Sequence, residues 1–375
     1  MLLTTEQLNQ LSLLAIQAAE QAGDYIRQFD RALLTTHFKA AGSSQSAQVV
    51  TDVDFACQDI ILTILQPICE QYDLALLSEE QVNEKKLSED STDLEAINLK
   101  SANQESREEN TNIHPRLTKD YFWCIDPLDG TLPFIEGGNG YAVSIALVAA
   151  SGEPILAAVH QPTSNTTYHT MIDTLGMTQG YKNKQPFNKS SPSDLSPNKP
   201  LPSESLLNQS LPSKLTESST SDISSINTIN KVNNSFTFYS DRSFQFSKHY
   251  PVLIKQLTIL ANELGYEKVI VKEQAGAVMN AMSVIECAVM EKQNPQHNAA
   301  CYIKLPKPQL GGGSLWDFSA TACLANATNT WVSDIHGNPL DLNRHDSNYM
   351  NHQGVLYASE QKLAQRLITM CRAFK

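Results

Sequence analysis

Two long stretches of this chain cannot help to build a packed core, and they set the limits for everything else. From Gln81 to about Lys119 the residues are mostly Glu, Ser, Asn and Lys, with few large apolar side chains. From Phe187 to Asn234 there are 13 serines in 48 residues, several prolines, and no aromatic ring after Phe187. Segments of this kind bury too little apolar surface to offset the entropy of ordering them. Both therefore read as poorly ordered insertions, the first mobile, and neither is expected to hold chemistry. What remains is an N-terminal α+β part over residues 1–186, interrupted at 81–119, and a C-terminal α/β part over 235–375.

Inside these parts the apolar pattern alternates between helical and extended periods. Thr4-x-x-Gln7 has the form of a capping box, and Leu8, Leu11, Ala15, Ala18, Ala19, Ala22 and Ile26 follow at helical spacing, which predicts a helix to about Gln28. Further helices are predicted over Phe55–Leu65, Pro251–Leu264 and Asp317–Asn326. Short apolar and aromatic runs predict strands at Leu74–Leu77, Tyr121–Ile125, Tyr141–Ala150 and Pro154–His160, the last two joined by the turn Ser151-Gly152. Trp331-Val332 is read as the start of a final strand pair around His336-Gly337-Asn338. Helices alternating with strands imply an α/β (α+β layered) class.

A formal charge of −12 argues against nucleic acid as a partner, which needs clustered Lys and Arg to displace counterions. It leaves a phosphorylated small molecule open, because a divalent cation inverts the field of an acidic site. The seven cysteines are scattered, odd in number and never spaced C-x-x-C, a pattern of reduced thiols. No secretory leader and no run of 18 or more apolar residues is visible, so the expectation is a cytoplasmic protein without a membrane span.

The strongest chemical signal is Asp126-Pro127-Leu128-Asp129-Gly130-Thr131, directly after the strand ending at Ile125. Two carboxylates three residues apart on a tight turn, with the Leu128 carbonyl between them, form a hard oxygen cluster suited to Mg²⁺. The Gly130 and Thr131 amides could then receive a phosphate where a helix starts, and Pro133 suits its first turn. Alone, the run is more ordinarily a surface turn. Three other segments have equally ordinary readings: Ser78-Glu79-Glu80 as solvated acids, Trp316-Asp317 as a helix cap after Gly311-Gly312-Gly313, and Thr51 with Asp54 as a capping pair. No H-E-x-x-H and no phosphate-binding glycine loop with Lys is present, so peptidase and nucleotide-triphosphatase readings lack support. His160 reads as a core or strand residue.

It is the joint order of these segments that is specific. Val50-Thr51-Asp52-Val53-Asp54, Leu77-Ser78-Glu79-Glu80, Trp123-Cys124-Ile125-Asp126-Pro127-Leu128-Asp129-Gly130-Thr131 with Phe134, and Trp316-Asp317 together resemble the inositol monophosphatase superfamily. These are lithium-sensitive metal phosphatases that include the 3′(2′),5′-bisphosphate nucleotidases. The resemblance runs from the first helix to near Tyr357. It implies an α-β-α-β-α sandwich of the sugar-phosphatase type, often dimeric. It also implies metal ligands at Glu79, Asp126, the Leu128 carbonyl, Asp129 and Asp317, most of them in the N-terminal part. Thr131, supported by Asp54, would orient and deprotonate the attacking water, with Glu79 also taking part in catalysis. The implied cofactor is Mg²⁺, two or three ions per site, with Mn²⁺ able to substitute.

The metal centre is shared across the superfamily and does not name the substrate. Asn280, in Gly276-Ala277-Val278-Met279-Asn280, looks more like the inositol monophosphatase branch. Lys304 stands where that branch carries an acid holding sugar hydroxyls, and a cation there suits a substrate with a second phosphate. Gly130, Thr131, Asn280, Lys304 and Asp317 are the expected substrate-binding set. The favoured substrate is 3′-phosphoadenosine 5′-phosphate, with inositol 1-phosphate next. A catalytically silent binding or regulatory relative is the reading from another class.

Overall fold

Thr4 opens the first helix, α1 (Thr5–Gln28), through the reciprocal pair read from the sequence: the Gln7 N–H donates to the Thr4 hydroxyl, and the Thr4 N–H donates to the Gln7 side chain. The computed structural model describes residues 2–38, 49–82, 114–187 and 234–374. Most of both predicted insertions, residues 83–113 and 188–233, therefore lies outside the described residues. The last residues of the first one, 114–119, are part of the fold: a short turn covers Pro115–Leu117, and Arg116 is buried.

After α1 a two-stranded ribbon, β1 (Thr36–Phe38) and β2 (Val49–Thr51), leads into α2 (Asp52–Tyr72). The sequence placed this helix at Phe55–Leu65. The Thr51–Asp54 capping box starts it earlier, and it continues past Pro67 to Tyr72, where Asp73 takes a left-handed conformation. A seven-stranded sheet follows in chain order: β3 (Ala75–Ser78), β4 (Tyr121–Asp129), β5 (Ala142–Ala149), β6 (Pro154–Gln161), β7 (Thr166–Ile172), β8 (Thr178–Lys182) and β9 (Gln185–Pro186). Only β3 and β4 are parallel; the other neighbours are antiparallel. A five-residue helix, α3 (Thr131–Ile135), caps the end of β4.

The C-terminal part contributes β10 (Ser235–Tyr239), α4 (Tyr250–Glu263), β11 (Lys268–Lys272), α5 (Ala277–Gln293), β12 (Ala299–Lys304), α6 (Leu315–Ala327), β13 (Trp331–Ser333), β14 (Val355–Ala358) and α7 (Gln361–Cys371). Its five-stranded sheet has the order β11-β10-β12-β14-β13. β10 runs parallel to both β11 and β12, and β14 runs antiparallel to β12 and β13. The predicted final strand pair is present, β13 running antiparallel to β14, but it is not closed tightly at His336-Gly337-Asn338. That turn exists, closed by N–H groups of His336 and Asn338 donating to Asp334 Oδ1, but β14 begins only at Val355.

Three apolar clusters give five layers. α1 and α2 cover one face of the large sheet, where Leu11, Ile61, Trp123, Ile125 and Leu147 meet. α5 and α6 fill the space between the two sheets, with Met282, Ile285, Phe318 and Leu324 packed against Phe122, Val159, Tyr302 and Tyr357. α4 and α7 close the outer face of the small sheet through Leu253, Leu257, Leu363 and Leu367. The expected α-β-α-β-α order is therefore observed. Because α5 and α6 lie between sheets, α6 buries nearly every residue and shows no amphipathic stripe. The central strands β4 and β5 are likewise buried on both faces. All seven cysteines are free.

A polar seam crosses the α1–sheet interface. Thr167 Oγ1 donates to Glu20 Oε1 at 2.8 Å and lies 2.9 Å from His160 Nδ1, so this nitrogen carries the proton of the neutral ring. The His160 ring rests against Gly23, where an added Cβ would come within 2.1 Å of its Cδ2. Gly→Ala in a helix usually stabilises by about 0.5–1 kcal/mol. Here Gly23→Ala is expected to destabilise by about 1–3 kcal/mol through overpacking, measured by urea unfolding. Burial lowers the pKa of both His160 and His169. Their contribution is fully present above the unfolded value of about 6.5 and is lost as pH falls through the lowered native values. Thermal midpoints should thus drop between about pH 7.5 and pH 5. His169→Phe should flatten part of that drop, since it keeps the stacking on Tyr181, 5.2 Å between centroids, but takes up no proton.

Candidate active site

The acidic run lies on the end of β4, not on a turn after it. Pairing with β5 shifts register between Asp126 and Asp129, which breaks the strand's alternation. The Leu128 N–H folds back onto Asp126 Oδ1 at 3.1 Å, and Asp126, Leu128 and Asp129 all line one cavity. Gly130 then leaves the strand at φ +86°, and a Cβ there would stand 2.7 Å from the Gly140 carbonyl, so glycine is required. Thr131 begins α3.

Each remaining candidate reaches this edge on its own element. Glu79 follows β3, where Gln58 Oε1 accepts from Ser78 Oγ at 2.6 Å and from the Gln81 N–H at 3.2 Å and so holds the backbone on either side of it. Asp54 caps α2 and serves the site at once. Its Oδ2 accepts from the Thr51 N–H (2.9 Å) and hydroxyl (2.6 Å), while its Oδ1 accepts from Thr131 Oγ1 at 3.0 Å. Asp317 is likewise a cap residue of α6, accepting from the Ser314 N–H at 2.8 Å, and also a wall of the cavity. The capping readings of both aspartates hold, and the same side chains reach Thr131 and the cavity wall.

Asp126, Asp129 and Asp317 bring ligand oxygens within 4.8 Å of one another, in a cavity of about 170 Å³ that Glu79, Thr131 and Lys304 also line. Asp129 accepts from the N–H groups of Ala277 and Val278, both at 3.0 Å, at the start of α5. Burial, then the nearby Asp317 charge, pushes the Asp129 carboxyl well above its usual range. Burial also raises Asp317, to about 6, with Lys304 pulling it down and Glu79 pushing it up. Carboxylates that resist ionising together accept a cation readily, and an oxygen-only donor set suits a hard ion such as Mg²⁺ rather than zinc. The residues present fit a divalent metal.

Two specificity candidates are placed differently from the sequence expectation. Asn280 is buried in α5, its Nδ2 donating to the Ala275 and Ser240 carbonyls, and it does not line the cavity. Lys304 does line it, but its ammonium is paired with Asp241 at 2.8 Å and lies over the Phe318 ring. Burial opposes the Lys304 charge, yet Asp241 and Asp317 outweigh it and raise the pKa. Sequence reasoning missed Asp241, whose other oxygen accepts from the Tyr302 hydroxyl at 2.7 Å, and also Tyr349 on the cavity wall. Asp241 had a usable signal: it follows β10 as Glu79 follows β3, and binding residues gather at the carboxyl ends of parallel strands.

A layered α/β protein with an acidic cavity at its strand ends is what the fold and site define. The chain belongs to the inositol monophosphatase family, whose model matches residues 7–244. Similar proteins include the 3′(2′),5′-bisphosphate nucleotidase CysQ of Haemophilus influenzae, 41% identical over 68 residues, which are 18% of this chain and 25% of that protein. CysQ of Aggregatibacter actinomycetemcomitans is 26% identical over 156 residues, 42% of this chain and 45% of the relative. The chain thus spans less than half the length of each of these two relatives. The solved structure of inositol monophosphatase from Anabaena (Nostoc) sp. PCC 7120 matches in fold with a TM-score of 0.53 at 15% identity, over 96% of this chain and 95% of that one. Among the described residues, no helix is long and apolar enough to cross a membrane.

Asp317→Asn should keep the α6 cap, since Asn also accepts there, and remove one carboxylate charge from the cavity. Calorimetric titration with MgCl₂ is expected to show affinity reduced by about tenfold or more. The thermal midpoint without metal should not fall.

Proposed function

We propose that this chain hydrolyses a small soluble phosphomonoester at the acidic cavity, with Mg²⁺ held by Glu79, Asp126, the Leu128 carbonyl, Asp129 and Asp317. The observation that carries this reading is the convergence of Asp126, Asp129 and Asp317, from opposite parts of the chain, beside the Thr131–Asp54 pair. When bound, the cation supplies positive charge that acidifies water and neutralises phosphoryl oxygens.

The chain's own groups supply the geometry. Because the Thr131 hydroxyl donates to Asp54, its oxygen is left to accept a proton from an incoming water and aim that water at phosphorus. As the water oxygen bonds to phosphorus and the ester P–O bond breaks, the water proton passes to Thr131 Oγ1 and the Thr131 proton to Asp54. The leaving oxygen takes up a proton and departs as the alcohol. Thr51 holds Asp54 through two hydrogen bonds, which fixes the acceptor in place. Glu79, which lines the cavity and whose charge pushes the Asp317 carboxyl up, shares in the metal set and in ordering the water. Gly130 and Thr131 offer backbone amides to the phosphate.

The favoured substrate is 3′-phosphoadenosine 5′-phosphate, supported by nucleotidases among the similar proteins and by cationic Lys304 and Lys307 on the cavity wall. Asp241 favours inositol 1-phosphate as the second reading. Its carboxylate lines the cavity and suits hydroxyl donors, and it partly cancels Lys304. Asn280 supports neither.

Phosphate release from both compounds, measured side by side with Mg²⁺, with chelator and with lithium, separates these readings. Mg²⁺-dependent release from the nucleotide alone is the expected result. Release from inositol 1-phosphate alone would reverse the preference, and release from neither would identify a silent relative that binds without turnover.

A further inference from the structure

We propose that Arg116 is a positioning residue for the acidic cavity: from outside the cavity it fixes the 341–352 loop, and through that loop the glycine turn that delivers Asp317. The inference rests on Asp317 serving the cavity, and it does not depend on which substrate is turned over.

Arg116 is 3% exposed, and both its terminal nitrogens donate to one loop, while Nε is buried without a hydrogen-bond partner. Nη1 donates to Asn343 Oδ1 at 2.6 Å, while Nη2 donates to the Arg344 carbonyl at 2.8 Å and to Asn348 Oδ1 at 3.0 Å. These acceptors are uncharged, so the guanidinium acts here as a rigid fork that sets geometry. Asn343 in turn donates to the Ala150 carbonyl at 2.9 Å, which ties the same loop to the end of β5. A second guanidinium folds the loop on itself: Arg344 binds Asp346, the Tyr349 carbonyl and His352.

The loop then grips the segment before α6. The Leu315 N–H donates to the Asn348 carbonyl and the Met350 N–H to the Gly313 carbonyl, both at 2.9 Å, and Ser314 forms an antiparallel bridge with Tyr349. Further along, Asn351 exchanges backbone and side-chain bonds with Lys307 and Gln309. The gripped segment contains Gly311, Gly312 and Gly313, with φ of +116°, +83° and +87°. Three successive glycines in this region have many alternative conformations and no side chains to select one. Selection must come from outside, and the loop held by Arg116 supplies it. Directly after the glycines come Ser314 and Asp317, whose mutual cap places the Asp317 carboxylate in the cavity.

A residue that only stabilised the fold would affect every layer alike, whereas this route is local. The test is Arg116→Met, which keeps the apolar stem and removes the fork, compared with Leu11→Ala in the α1 layer, chosen for a comparable loss of thermal midpoint. Amide hydrogen exchange of Ser314, Leu315 and Met350 should speed up by about tenfold or more in Arg116→Met and stay near wild type in the control. Calorimetric affinity for Mg²⁺, measured well below the midpoint, should weaken by about tenfold in Arg116→Met alone. Arg116→Lys, which restores one donor and the charge, should recover part of both. If Arg116→Met does not fold, Asn348→Ala removes one acceptor and should give a smaller shift in the same direction. Unchanged exchange at these three amides, or equal effects in the Leu11→Ala control, overturns the inference. The exchange readout needs neither metal nor turnover, so failure of the phosphatase reading leaves it intact and separately visible.

Discussion

Like charges forced into a small volume are the constraint behind this architecture. Asp126, Asp129 and Asp317 place ligand oxygens within 4.8 Å of one another. At an effective dielectric of about 20, each ionised pair at that separation repels by roughly 3–4 kcal/mol. The fold answers with backbone donors: the N–H groups of Leu128, Ala277, Val278 and Ser314 each donate to one of the three carboxylates. Hydrogen bonds to charged groups contribute about 1.5–3 kcal/mol apiece, so they offset much of the repulsion, and Lys304 adds positive charge. Strand bulge, helix caps and the start of α5 are arranged around this one electrostatic problem.

The donors are also why the site lies where it does. β3 and β4 run parallel and end at Glu79 and at the Asp126–Thr131 run. β10, β11 and β12 run parallel and end beside Asp241, Glu273 and Lys304, which line the same cavity. Carboxyl ends of parallel strands from two separate sheets thus face one space, and the N–H groups at the starts of α5 and α6 are taken up by Asp129 and Asp317 there. The family model stops at residue 244, yet the fold resemblance continues over nearly the whole chain. The acidic core of the cavity falls mostly in the first region, whereas Asp317, Lys304 and Tyr349 come from the second.

What the sequence could reveal followed from the range of each interaction. Capping pairs at Thr4 and Thr51, the helix cap at Asp317 and the strand run into Asp126 are local, and they were legible together with the helices and strands they bound. α5 escaped because Ala277 to Ile285 is almost wholly buried, which blurs the helical period at its start. The last strand pair was legible but its closure was not, because the turn at His336-Gly337-Asn338 is real while the strand partner lies much further along. Lys304 was recognised as a cation near the site, but its pairing with Asp241 joins residues 63 apart and leaves no local trace. Arg116 was assigned to a polar insertion for the same reason: only its contacts at 343–348 make it a core residue.

The position of β14 has a consequence for how the molecule is made. This strand is the last in chain order among the described ones, yet it lies inside the small sheet, between β12 and β13. While the chain is being synthesised, β12 and β13 have no common partner until residues 355–358 have emerged, so β12, which ends at Lys304, is paired only with β10 until then. Domains generally fold as units from the N-terminus during synthesis. The segments bearing Glu79, Asp126 and Asp129 therefore emerge well before the small sheet can be completed. Maturation of the site is in this way tied to a late event in the ribosome's passage along the message, made by a strand that contributes no residue to the cavity.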